Sequence, residues 1–207
     1  MNSTPKNLTR RDAVTLLAAA FSLGGDLVQA ATPNAAQIAP QVKFSTSEGD
    51  FVVEVYPDKA PKTVENFLRY VKDKHYDGTI FHRVINNFMI QGGSYDASYA
   101  EKKTRAPVVH EGREALAKGG PKNTVGTLAM ARTSDPDSAT AQFFINVRDN
   151  DFLNPSAQTP GYTVFGKVVS GLETVNKIKE VPTGAGGPFS SDAPKTPLVI
   201  KSATLVK

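Results

Sequence analysis

The chain of 207 residues contains no cysteine. Disulfides, thiolate nucleophiles, cysteine-ligated zinc and a lipid-anchored cysteine are thereby excluded, and the composition is compatible with an oxidising compartment. The three histidines, His75, His82 and His110, are too scattered to resemble a metal-binding repeat, so no metal is expected and His82 reads as a hydrogen-bonded strand residue. Basic blocks are absent too. The 24 Lys+Arg and 20 Asp+Glu give a net charge of +4 spread along the chain, which offers nucleic acid no patch. No apolar run reaches the roughly 20 residues of a membrane span. Ser134 and Ser138 lie near Asp135 and Asp137 without a G-x-S-x-G elbow, so hydrolase chemistry finds no nucleophile. The glycines at 184–187 lack the preceding strand and opening helix of a phosphate cradle and read as plain loop.

What is present begins with a leader. Lys6, Arg10 and Arg11 precede an Ala/Leu-rich run over 13–23, and Val28, Gln29 and Ala30 supply small residues for cleavage. Residues 1–30 are expected to be a secretory signal peptide and 31–40 a linker. Residues 41–207 then form one domain, in a periplasmic or secreted setting. Arg10 and Arg11 resemble a twin-arginine signal, but Ala13 stands where that signal usually carries a large apolar residue, so the twin-arginine and general routes both stay open.

In the domain, 42–46 and 51–56 alternate apolar and polar residues around Ser47-Glu48-Gly49-Asp50, a hairpin pattern. The period then changes. Val64, Phe67, Leu68 and Val71 recur at helical spacing behind Pro61, predicting an amphipathic helix over 61–72. A strand containing Arg83 is predicted between Asp77-Gly78 and Asn86-Asn87, and others near 88–91, 127–131, 142–147, 162–169 and 198–206, with a helical turn at 149–153 and a second helix over 172–179. The stretches 94–124 and 182–197 have no sustained period and read as long surface loops. About eight strands and two helices fit a mainly β barrel or sandwich, which periodicity alone does not separate.

Residues 81–93, FHRVINNFMIQGG, place a guanidinium beside an apolar block. Simple alternation puts Arg83 on the face of Phe81 and Ile85, where a cation must be ion-paired, snorkel outward or await a ligand. Structural and functional readings of Arg83 are both open at this point. Together with AMAR at 129–132, QFFINV at 142–147 and FGKVVSG at 165–171, the stretch resembles the cyclophilin family of peptidyl-prolyl cis/trans isomerases, the bacterial secreted branch most closely. The resemblance runs from about Val42 onward and implies a closed eight-stranded antiparallel barrel capped by two helices.

It also implies a site. Arg83 would be the catalytic guanidinium, with Gln91 orienting it or bonding the substrate backbone. Phe88, Met89, Phe144 and Leu153 would line a proline pocket, Ala131 and Arg132 the groove for the preceding residue, and Phe152 and Tyr162 the rim. No cofactor is implied, and the partners are X-Pro polypeptides met by a monomer. Phe152, Tyr162 and Arg132 stand where many eukaryotic members carry Trp, His and Asn; without the indole N–H, cyclosporin-type inhibitors should bind weakly. Two functions fit the resemblance: an isomerase for exported, unfolded or partly folded proteins, or a non-catalytic proline-peptide binding module or chaperone.

Overall fold

A computed structural model describes residues 39–206. The expected leader and nearly all of the expected linker lie outside the described residues. The chain opens with the hairpin β1 (Gln41–Thr46) and β2 (Gly49–Val55), then α1 (Pro61–Lys72), β3 (Thr79–Ile85) and β4 (Met89–Asp96). A short α2 (Gly112–Ala117) precedes β5 (Thr127–Met130), β6 (Phe143–Asn146), β7 (Val164–Ser170) and α3 (Leu172–Lys179). The hairpin β8 (Thr183–Gly186) and β9 (Phe189–Pro194) and the strand β10 (Ile200–Leu205) complete it.

Eight strands form one antiparallel sheet in the order β10-β1-β2-β7-β5-β6-β4-β3. Its two ends meet: the Gly78 N–H donates to the Ile200 carbonyl at 2.8 Å and the Phe81 N–H to the Leu198 carbonyl at 2.9 Å. The result is a nearly closed barrel, which hides most of the edge an open sheet would expose. Its interior is aromatic. Phe44 stacks on Phe51 at 5.0 Å, while Phe67 from α1 reaches Phe165 at 5.1 Å and Phe143 at 6.2 Å. Burial of each such ring contributes about 1.5–3 kcal/mol.

The apolar stripe of α1 buries Val64, Phe67 and Val71 as its spacing predicts, with Thr63 and Tyr70 beside them. Pro61 begins the helix, and no local side chain caps it. The buried Glu111 does so from 48 residues away, accepting the Lys62 and Thr63 N–H groups at 3.1 and 2.8 Å and the Thr63 hydroxyl at 2.7 Å. The turn into α3 uses Gly171 at φ +77°, where a Cβ would sit 2.4 Å from the Asp50 carbonyl oxygen, so only glycine fits.

Three expectations need correction. The two predicted helices are present, but a third, α2, lies within the stretch read as loop. Residues 182–197 are largely the β8–β9 hairpin, whose Phe189 stacks on His82 at 5.2 Å. His82 is not a hydrogen-bonded strand histidine: its Nδ1 is buried without a partner among the described residues, between Phe189 and Tyr95. Burial, and secondarily Arg83, lower its pKa to about 4.

Candidate functional site

Pairing registers align one row of residues across five strands. Arg83 on β3 faces Gln91 on β4; Gln91 faces Phe144 on β6; Phe144 faces Ala129 on β5; Ala129 faces Val164 on β7. Side chains in a sheet alternate between faces, so the neighbours of this row point the other way. Ile90, Leu128, Phe143, Ile145 and Phe165 belong to the barrel core, whereas Met89, Ala129, Phe144, Leu153 and Val164 form a second apolar cluster. The adjacent phenylalanines thus divide as period two requires: Phe143 packs the core and Phe144 floors the outer cluster.

Arg83 reaches this face through an irregularity. Phe81 pairs with Gly92 and Arg83 with Gln91, which leaves His82 as an extra residue on β3. Simple alternation fails there: Phe81 and Val84 both join the core, while Ile85 packs on the outer cluster. Arg83 therefore shares a face with Ile85 but not with Phe81. The bulge re-aims the guanidinium outward.

A cavity of about 200 Å³ opens on the second cluster. Arg83 and Gln91 line it together with the apolar Phe88, Met89, Phe144 and Leu153 and with Ala131, Arg132 and Tyr162. This is below the roughly 300–1,000 Å³ of drug-sized sites and suits one compact side chain. Every site residue inferred from the sequence lines it except Phe152, which is 70% exposed and stacks on the outer side of Phe88 at 5.7 Å.

Polar contacts orient the walls. Arg83 forms no ion pair among the described residues, and its Nη1 lies 3.5 Å from Gln91 Oε1. Gln91 Nε2 donates to Gln142 Oε1 at 2.9 Å. Arg132 stacks over the Tyr162 ring at 4.6 Å while its Nε and Nη2 donate to the Gly161 carbonyl. Behind the pocket, Asn150 Nδ2 donates to the Phe88 carbonyl at 2.9 Å and to Asn146 Oδ1 at 2.8 Å, and Asn123 Nδ2 to the Leu153 carbonyl at 3.2 Å. Gln142 and this buried amide network were not singled out from the sequence. Gln142 and Asn146 lie within the QFFINV stretch, but nothing local assigns them a role; their contacts arise only from the fold. Among the described residues no cluster of three or more His, Asp or Glu could hold a metal, and no helix is long and apolar enough to cross a membrane.

The arrangement can seat a small ring in an apolar slot and present a guanidinium to the amide beside it. A nearly closed antiparallel barrel with that pocket on its outer face is the architecture of the cyclophilin class. The chain belongs to the cyclophilin-type peptidyl-prolyl cis-trans isomerase family, whose model matches residues 41–205. It is 53% identical over 167 residues to peptidyl-prolyl cis-trans isomerase B of Escherichia coli, covering 79% of this chain and 98% of that protein. Identity to a peptidyl-prolyl cis-trans isomerase of Acinetobacter baylyi is 50% over 186 residues, covering 90% and 94%. Among solved structures, a cyclophilin-type isomerase of Cryptosporidium parvum in the presence of the dipeptide Ala-Pro has a TM-score of 0.68 at 28% identity, covering 81% of this chain and 99% of that one.

Proposed function

We propose that the protein accelerates cis/trans rotation of X-Pro bonds in exported, unfolded or partly folded polypeptides, with Arg83 as its catalytic group. The barrier to overcome is about 18–20 kcal/mol of amide resonance, and no bond is broken. Catalysis therefore consists in binding the twisted amide better than either planar form. With the ring held against Phe88, Met89, Phe144 and Leu153, rotation localises a lone pair on the prolyl nitrogen. The Arg83 guanidinium, free of any carboxylate among the described residues, is available to donate to it. That uncommitted, half-buried cation beside an apolar slot is the observation that carries the reading, because a pocket that only held a proline ring would not need a guanidinium beside it.

Gln91 orients Arg83 or bonds the substrate backbone; Ala131, Arg132 and Tyr162 border the residue before proline, and Phe152 extends the edge. Cyclosporin-type inhibitors are weak ligands of this groove. The leader-like residues 1–30 support action outside the cytoplasm, in the periplasm or beyond, with 41–207 as the working domain. The test is the exchange rate of a short Ala-Pro peptide by NMR with no coupled protease. Acceleration by the chain, and its fall by at least about tenfold in a still-folded Arg83→Ala variant, equivalent to 1.36 kcal/mol, is the expected result. Peptide binding without acceleration would make the protein a binding module instead.

A further inference from the structure

The wall formed by Arg132 and Tyr162 is held from behind by a residue outside the pocket. The Gly161 carbonyl accepts Arg132 Nε at 3.1 Å and Arg132 Nη2 at 2.8 Å, and His110 Nε2 lies 3.2 Å from the same oxygen. Arg132 Nη1 donates to the Thr133 carbonyl at 2.8 Å. Arg132 is thus anchored to backbone on two sides, and its flat face lies on Tyr162.

The tautomer of His110 is fixed by its other nitrogen. The Gly112 N–H donates to His110 Nδ1 at 3.3 Å, so Nδ1 is the acceptor and Nε2 carries the proton. The close fit of imidazole to backbone is visible in Gly112 itself, where a Cβ would fall 2.5 Å from His110 Cε1. The segment around His110 is stitched down at three further points. Val108 N–H donates to the Ala139 carbonyl at 2.9 Å, His110 N–H to Asp137 Oδ1 at 2.7 Å, and Glu111 N–H to the Thr163 hydroxyl at 3.2 Å. Asp137 and Ala139 lie in the 131–142 segment that begins with the pocket residues Ala131 and Arg132, and Thr163 directly follows Tyr162.

We propose that His110 is a positioning residue of the substrate groove: its Nε2–H shares the Gly161 carbonyl with Arg132 and thereby holds the Arg132–Tyr162 stack as a fixed wall. This rests on reading the adjoining cavity as the proline site. A wall that touches substrate equally in the planar and twisted forms affects binding, not turnover.

The test uses the full chain and its His110→Ala and His110→Gln variants, with exchange of an Ala-Pro peptide measured over a range of peptide concentrations. His110→Ala should raise KM about fivefold, the equivalent of one neutral hydrogen bond, while kcat stays within about twofold. His110→Gln, whose amide nitrogen can reach the same carbonyl, should restore KM. The Arg132 Nε–H resonance should move in the first variant and return in the second. An unchanged KM in His110→Ala, or a Gln variant as impaired as the Ala variant, overturns the proposal. Should His110→Ala not fold, Gly112→Ala displaces the imidazole by its Cβ and is expected to raise KM in the same way; a wild-type KM there overturns the proposal. If the unaltered chain gives no acceleration, the isomerase reading fails by itself, and the Arg132 resonance alone then decides whether His110 holds the wall.

Discussion

Arg83 and Gln91 are partners across β3 and β4, and the contact between their side chains is long, 3.5 Å from Nη1 to Oε1, whereas Gln91 is held firmly by Gln142 at 2.9 Å. The amide is fixed and the guanidinium is only guided by it. Gln142→Leu removes the fixed end, and we expect kcat/KM to fall about three- to tenfold, the cost of one or two neutral hydrogen bonds. The melting temperature should stay within about 2 °C, because Gln142 lies outside the core. Peptide exchange and thermal unfolding of the same sample check both parts.

Glu111 affects stability rather than turnover. Its carboxylate takes two backbone N–H groups and one hydroxyl at the start of α1. Glu111→Ala leaves those donors without their acceptor and should cost about 2–4 kcal/mol, or roughly 5–15 °C in melting temperature. Glu111→Gln keeps one acceptor oxygen and should lose about half as much. Denaturant titration of the three proteins distinguishes these values.

His82 makes the fold sensitive to acid. Its folded pKa of about 4 lies below the ordinary 6.5, so on acidification the unfolded chain takes up the proton first. Stability from this group is whole above about pH 6.5 and is lost as pH falls toward 4. At pH 4.5 the loss amounts to about 2–3 kcal/mol. Burial lowers His75 and His110 as well, and they remain in the variant. Urea unfolding should therefore show the gap between His82→Phe and the unaltered chain moving in the variant's favour by about 2–3 kcal/mol between pH 7.5 and 4.5. A constant gap would mean that His82 is solvated in the folded state.

Phe152 stands at the exposed edge of the pocket, stacked on Phe88. Phe152→Trp keeps an aromatic ledge and adds one N–H donor. The dissociation constant of a cyclosporin-type inhibitor should fall about fivefold, as one hydrogen bond predicts, and calorimetry measures it directly.

Much of this was readable because it is local. The spacing of Val64, Phe67 and Val71 predicts α1 to its observed bounds, and the adjacency of Phe143 and Phe144 predicts that they divide between two faces. Seven of the nine pocket members lie in three of the four motifs that resemble one family, and Leu153 and Tyr162 follow from the same resemblance outside them. The features that escaped are set at a distance. Period two places Arg83 with Phe81, and only the pairing of β3 with β4 reveals the extra residue that separates them. The hairpin β8–β9 is rich in glycine and proline and is anchored by Phe189 on His82, a contact between segments far apart in sequence. Glu111 looks like one more charged loop residue until the fold brings it to α1.

The pairing of β1 with both β2 and β10 bears on how the chain acquires its shape during synthesis. Its first partner follows within a few residues, but Val42 meets Leu205 only after almost the whole described chain has emerged. Until then β1 presents a bare hydrogen-bonding edge, and the barrel cannot shut. A member of the prolyl-isomerase family is itself left open to wrong pairings until its last strand arrives.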